Sequence, residues 1–122
     1  MAERKARAAE GKQQVGHDPG GAASAALRPH VADIIRRINV DEFTTLEFIQ
    51  ALQMDPAGKR AFDRALALIP ETDEARARMI LHGQIVPDLL RETGLVEWNG
   101  YAYGHEDPYG VPAWWKKLEP SG

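Results

Sequence analysis

The 122-residue chain has no cysteine, which excludes disulfides, thiolate metal sites and cysteine nucleophiles together. Its only serines are Ser24 and Ser121. Both lie in segments with few large apolar residues, so serine chemistry has no well-placed nucleophile. No apolar run approaches the ~20 residues of a membrane-spanning helix. The N-terminal MAERKARAAEGKQQ is basic but has no apolar core behind it, unlike a secretory signal, and a cytoplasmic location is the default expectation. PGGAAS follows no strand and fits neither G-x-G-x-x-G nor the P-loop pattern. A further absence is local: between Glu92 and Trp115 there is no Lys or Arg.

The net charge of −3 is unevenly spread. Residues 1–28 carry five bases and three acids, whereas residues 29–122 carry ten bases and fifteen acids. The segment GHDPGGAASAAL is rich in Gly, Ala and Pro and offers little apolar area to offset the entropy of ordering it. Residues 1–28 therefore read as a disordered tail, 29–118 as a single domain and 119–122 as a loose end. The domain is acidic, which makes nucleic acid a harder partner to satisfy than protein.

Within the domain the periodicity is helical. Val31, Ile34, Ile35 and Ile38 share one face, with Pro29 suited to the first turn. Thr44 and Glu47 have capping-box spacing ahead of Leu46, Ile49 and Leu52, with Phe48 beside them. Asp55-Pro56 is a start signal for a helix carrying Ala61, Phe62, Ala65, Leu66 and Ile69, and Pro70 stops it. Thr72 reads as the next cap. Gly83 and Pro87 then interrupt the pattern, giving either two helices or one helix bent at Pro87. Gly94 is placed to end the last one. The expected helices are about 30–38, 45–53, 56–69, 73–82 and 84–93.

The stretch GLVEWNGYAYG adds a β-hairpin over 95–104. Asn99-Gly100 suits a two-residue type I′ turn, which sets Trp98 opposite Tyr101 and Val96 opposite Tyr103, all on one aromatic face. A lone hairpin is marginal in water, so that face is expected to lie on the helices. The fold class is mainly α with a small C-terminal β-hairpin. Over residues 31–104 the order of elements resembles the winged helix-turn-helix superfamily, the matching stretch being QIVPDLLRETGLVEWNGYAYG. In that superfamily a final helix ends in Gly, enters a strand and leads into a hairpin called the wing. The chain departs from it in the long separate helix at 56–69, in Pro87 within the would-be recognition helix, and in the added HEDPYGVPAWWKKLE.

The resemblance implies DNA binding through helix 84–93 and the wing. The candidate contacts are Gln84 and Arg91, with Lys59, Arg60 and Arg64 as a second basic cluster. Against it, Asp88 and Glu92 flank Arg91, and the wing brings Glu97, His105, Glu106 and Asp107 where phosphate contact needs Lys or Arg. A module binding a protein, or its own copy, fits the charges better. Its candidate contacts are Trp98, Tyr101, Tyr103, Tyr109, Trp114 and Trp115, because Trp and Tyr bury large area around a polar tip. Of the adjacent tryptophans, one is expected to close the core and the other to stay partly exposed. A weaker alternative is an enzyme or metal site around His105, next to Glu106 and Asp107. Consecutive loop residues rarely converge on one ion, and no H-x-x-x-H or H-E-x-x-H spacing exists. His82 reads as a helix-end residue favoured by the dipole. No catalytic residue, metal ligand, cofactor or membrane partner is implied.

Overall fold

The computed structural model describes residues 21–118. It is helix-rich with a small three-stranded antiparallel sheet, in the order α1 (Gly21–Arg37), β1 (Glu42–Thr44), α2 (Thr45–Met54), α3 (Pro56–Leu68), α4 (Glu74–Ile80), a π-helical turn (Leu81–Ile85), α5 (Val86–Thr93), β2 (Val96–Tyr101) and β3 (Ala113–Lys117). The fold class read from the sequence stands.

Helix α1 begins at Gly21, well before the expected start at Pro29. The small side chain of Ala23 and that of Leu27 are buried and extend the Val31, Ile34 and Ile35 stripe by two turns. Pro29 lies inside the helix, where its ring removes one intrahelical bond. Both it and Ala25, whose carbonyl loses that partner, are exposed, so water can take the bond's place. The rest of the expected tail, residues 1–20, and residues 119–122 lie outside the described part.

The caps explain the middle helices. Thr44 Oγ1 accepts from the Glu47 amide at 3.1 Å while Glu47 Oε1 accepts from the Thr44 amide at 2.8 Å, completing the capping box. Asp55 ends α2 and caps α3, its carboxylate accepting from the Gly58 amide at 2.8 Å. At Gly58 the helices nearly touch: a Cβ there would sit 2.3 Å from the Leu52 carbonyl oxygen. The cap of α4 is Asp73 rather than Thr72, with its Oδ1 3.0 Å from the Ala75 amide.

From Glu74 to Thr93 the chain is one continuous helical run, closer to the single-helix alternative than to two helices split at Gly83. The interruption takes the form of the π turn. Pro87 lacks the N–H for an α-helical bond, and its ring would press on the carbonyl of Gly83; a locally widened turn relieves both. Gly94 ends the run in the left-handed region at φ 71°.

The sheet corrects the hairpin. Strand order is β1-β3-β2, with Phe43 opposite Trp115 and Trp98 opposite Trp115 on either side. Tyr101 pairs with Ala113, not with Trp98. Asn99-Gly100 is therefore not a turn. It is an irregularity within β2, two residues facing the single Trp114, and Gly100 at φ 92° fits a bulge as well as it would have fitted a turn. The hairpin is β2–β3, closed by the long loop 102–112. Neither β1 nor β3 is among the expected elements.

Trp115, on the central strand, has no exposed surface, and its indole N–H donates to Thr45 Oγ1 at 2.8 Å. Around it the helices and sheet enclose one core, in which Phe43, Phe48, Phe62, Leu81 and Leu90 are fully buried. At the surface Arg28 joins α1 to α5 through Glu92 at 2.5 Å. Both partners are half-exposed, so this pair adds little to stability.

Candidate partner-binding cavity

An open cavity of about 1150 Å³ lies between the π turn and α5 on one side and β2 with loop 102–112 on the other. Its position follows from the bulge and the loop. Pairing β2 with β3 leaves Tyr101 and Tyr103 outside the core, at the start of a loop that arches back towards the helix.

Most of the sequence candidates meet here. Trp98, Tyr101, Tyr103 and Tyr109 line the cavity, together with Gln84 and Arg91 from the helical run. Residues proposed separately for protein and for DNA thus share one concave surface. Trp98, Tyr101 and Tyr103 form a ladder of edge-to-face rings, with centroids 5.3 Å and 6.2 Å apart. They are 47%, 53% and 88% exposed. Met79 and Val111, also exposed, complete the rim.

Five candidates are not exposed contacts of the cavity. Trp115 reaches the cavity wall but has no exposed surface, so it is a core residue rather than a partner contact. Trp114, half-buried on the opposite face of β3, packs edge-on against His105 at 5.1 Å. Strand alternation produces this division, with one tryptophan in the core and the other part-exposed. Lys59, Arg60 and Arg64 are exposed on α3 and do not line the cavity, and Lys59 is paired with Asp63 at 3.2 Å.

Arg91 stands on the cavity wall with its guanidinium carbon 5.3 Å from the centre of the Trp115 ring. A cation over an indole face is attracted by the ring quadrupole, which orients the side chain. Its other contact is Asp88 at 3.2 Å, and both side chains of that pair are more than half exposed.

Beneath the loop lies a contact that the sequence did not disclose. His82, on the π turn, meets Asp107 through Nδ1, with the two carboxylate oxygens at 3.2 and 3.1 Å. The side chains are 5% and 3% exposed. The same carboxylate accepts from the Tyr109 amide at 2.9 Å, and Tyr109 packs edge-on against the imidazole at 5.3 Å. Phe62 approaches the ring at 6.1 Å, also edge-on. His82 is thus a buried clasp residue in mid-helix, not a helix end exploiting the dipole. The His105-Glu106-Asp107 triplet diverges: His105 turns to Trp114, Asp107 turns inward to His82, and Glu106 stays exposed.

An aspartate orienting a histidine is one half of an acid–base arrangement. Here Nε2 is buried and has no hydrogen-bond partner among the described residues. The carboxylate favours the tautomer that carries its proton on Nδ1, which leaves Nε2 as a buried acceptor. Among the described residues no group of three or more His, Asp or Glu is placed to hold a metal ion, and no helix is long and apolar enough to cross a membrane. The signal for the clasp was faint: a His on an otherwise apolar stripe, and an Asp-Pro-Tyr-Gly turn.

Comparison with family models, curated proteins and solved structures finds no match to this chain.

Proposed function

We propose that this chain is a non-enzymatic, winged-helix-like module that binds a protein partner in the cavity between α5 and the β2–β3 hairpin. One observation carries the reading. Of the nine large apolar side chains exposed among the described residues, five (Met79, Trp98, Tyr101, Tyr103 and Val111) gather on this one concave surface. Scattered singly they would need no explanation; collected in a hollow they are the usual form of an interaction site. The winged-helix comparison is supported by the Gly94-terminated helix entering β2 and by the hairpin that follows, with loop 102–112 in the place of the wing.

Charge separates this reading from DNA binding. The loop and β2 contain no Lys or Arg, and the helix facing them offers Arg91 between Asp88 and Glu92. Phosphate binding draws its affinity from Lys and Arg displacing counterions, and this surface supplies one.

The test is selection of short random peptides, displayed on phage, against the full chain. Enrichment on the wild type that is lost on Trp98→Ala/Tyr101→Ala, with both proteins melting at similar temperatures, supports the reading. Anisotropy with labelled random duplex DNA is the counter-test. Binding at low salt that collapses as salt rises, unaffected by the double substitution, overturns it in favour of a nucleic-acid partner.

A further inference from the structure

Resting on that reading, we infer that the partner segment is acidic: a peptide that places a carboxylate on the Arg91 guanidinium and lays its apolar side chains along the Trp98–Tyr101–Tyr103 ladder. Residues 21–118 contain fourteen acids and eleven bases, yet no Asp or Glu lines the cavity, and Arg91 is its only Lys or Arg. On a domain with excess negative charge, this hollow is lined by one cation and no carboxylate; the carboxylate paired with that cation, Asp88 at 3.2 Å, lies outside the lining and is exposed.

The polar groups agree in kind. Besides Arg91, the cavity offers the Gln84 amide and the hydroxyls of Tyr101, Tyr103 and Tyr109, all able to donate. Arg91 is also presented in a usable state. The buried ring of Trp115 holds its position, while its pairing with Asp88 is exposed on both sides. Such a pair contributes little and exchanges readily for a better-placed carboxylate, which a guanidinium can grip with two parallel N–H donors.

Size and shape favour a segment of chain over a compact metabolite. At about 1150 Å³ and open to solvent, the hollow exceeds the roughly 300–1000 Å³ of small-molecule pockets. The spaced rings of the ladder suit successive side chains of an extended segment.

The experiment uses the peptides enriched on the full chain, each synthesised with a fluorophore beside a counterpart in which Asp or Glu is replaced by Asn or Gln. The expected result is that enriched peptides carry an acid next to apolar residues, and that removing the charge weakens binding to the wild type roughly tenfold or more. On Arg91→Met, which keeps most of the aliphatic stem, acidic and amide peptides should bind alike. Arg91→Lys, which keeps the charge but not the fork, should restore part of the difference. Enriched peptides without acids, or a difference that survives Arg91→Met, overturn the inference. The protein-binding reading then still stands if Trp98→Ala/Tyr101→Ala abolishes binding. Failure to enrich any peptide overturns both.

Discussion

Two buried polar contacts fasten the C-terminal third of the molecule to its helices, and they are built differently. Trp115 has one polar atom, an indole N–H, and that atom is satisfied by Thr45. His82 has two ring nitrogens, and among the described residues only Nδ1 is satisfied, by Asp107. The first contact sits in the middle of the sheet, with core side chains around it. The second holds down a loop whose outer residues, from Tyr103 to Glu106, are all exposed. The strand end is thus closed and saturated, whereas the loop end is tied at one point and leaves a buried group unmatched. Local opening is drawn from regions with few buried contacts and exposed backbone, so the loop is the place for it. The aromatic ladder lies where the rigid sheet gives way to that loop.

The largest effect is expected at Trp115. Trp115→Ala removes the largest fully buried side chain from the centre of the core, a change that costs about 3–5 kcal/mol in well-packed proteins. Against a total of roughly 5–15 kcal/mol for a typical domain, that is enough to unfold much of the population. Urea denaturation should show a large drop in midpoint. A drop no greater than that of a surface substitution would mean that the sheet is not seated on the helices as described.

Asp107→Ala should cost less, about 1–3 kcal/mol, because it leaves the buried imidazole with neither nitrogen matched. Its signature is regional. Amide exchange at Tyr109 and Gly110 should quicken while the amides of α2 and β3 keep their protection. Removing both partners, as His82→Leu with Asp107→Ala, should recover part of the loss, since the penalty belongs to the orphaned group. Uniformly faster exchange would put the clasp inside the global core and erase the distinction between the two contacts.

The helices were more legible than the sheet. Thr44, Glu47, Asp55, Pro56 and Gly94 act through bonds within a few residues of themselves, so spacing alone was enough to place them. Ala23 and Leu27 were missed because an Ala-rich stretch carries too little apolar area to announce a buried face, although two turns of it pack under the domain. The hairpin misled for a non-local reason. Asn99-Gly100 is a strong turn signal, but pairing with residues 113–117 lets Trp98 face Trp115, which the core also accepts, and a local turn offers nothing comparable. Within the cavity, each aromatic residue could be named from the sequence. Their convergence with Gln84 and Arg91 could not, because it depends on a loop crossing back to the helix. The His82–Asp107 contact spans 25 positions and has no local spacing to betray it.

A smaller effect distinguishes the helical side by pH. The Gly58 amide, and secondarily the Arg37 guanidinium 2.9 Å away, hold the Asp55 carboxyl below its usual range. A carboxylate favoured in the folded state contributes stability that is fully present above its unfolded value, about 3.9, and is lost as pH falls through the lower folded value. Asp55→Ala should therefore lower the melting temperature at neutral pH. The gap from the wild type should narrow as pH falls below about 4. An undiminished gap in acid would assign the loss to helix packing instead of to the ionised cap.

The smallest effect on stability is expected at Tyr103, and it decides what the open region is for. The side chain is 88% exposed and packs edge-on against Tyr101. Surface substitutions of this kind stay within about 0.5 kcal/mol, so Tyr103→Ala should melt with the wild type. An exposed tyrosine at the end of a ring ladder still loses water-accessible area when a partner covers it, and truncating such a residue at an interface commonly costs more than 1 kcal/mol of binding. Affinity for an enriched peptide should fall several-fold while the melting curve stays put. If the melting temperature drops instead, the ladder is part of the domain's own packing and the hollow is a by-product of the fold. If neither quantity moves, the bound segment ends before Tyr103, and contact is confined to Trp98, Tyr101 and the helix wall.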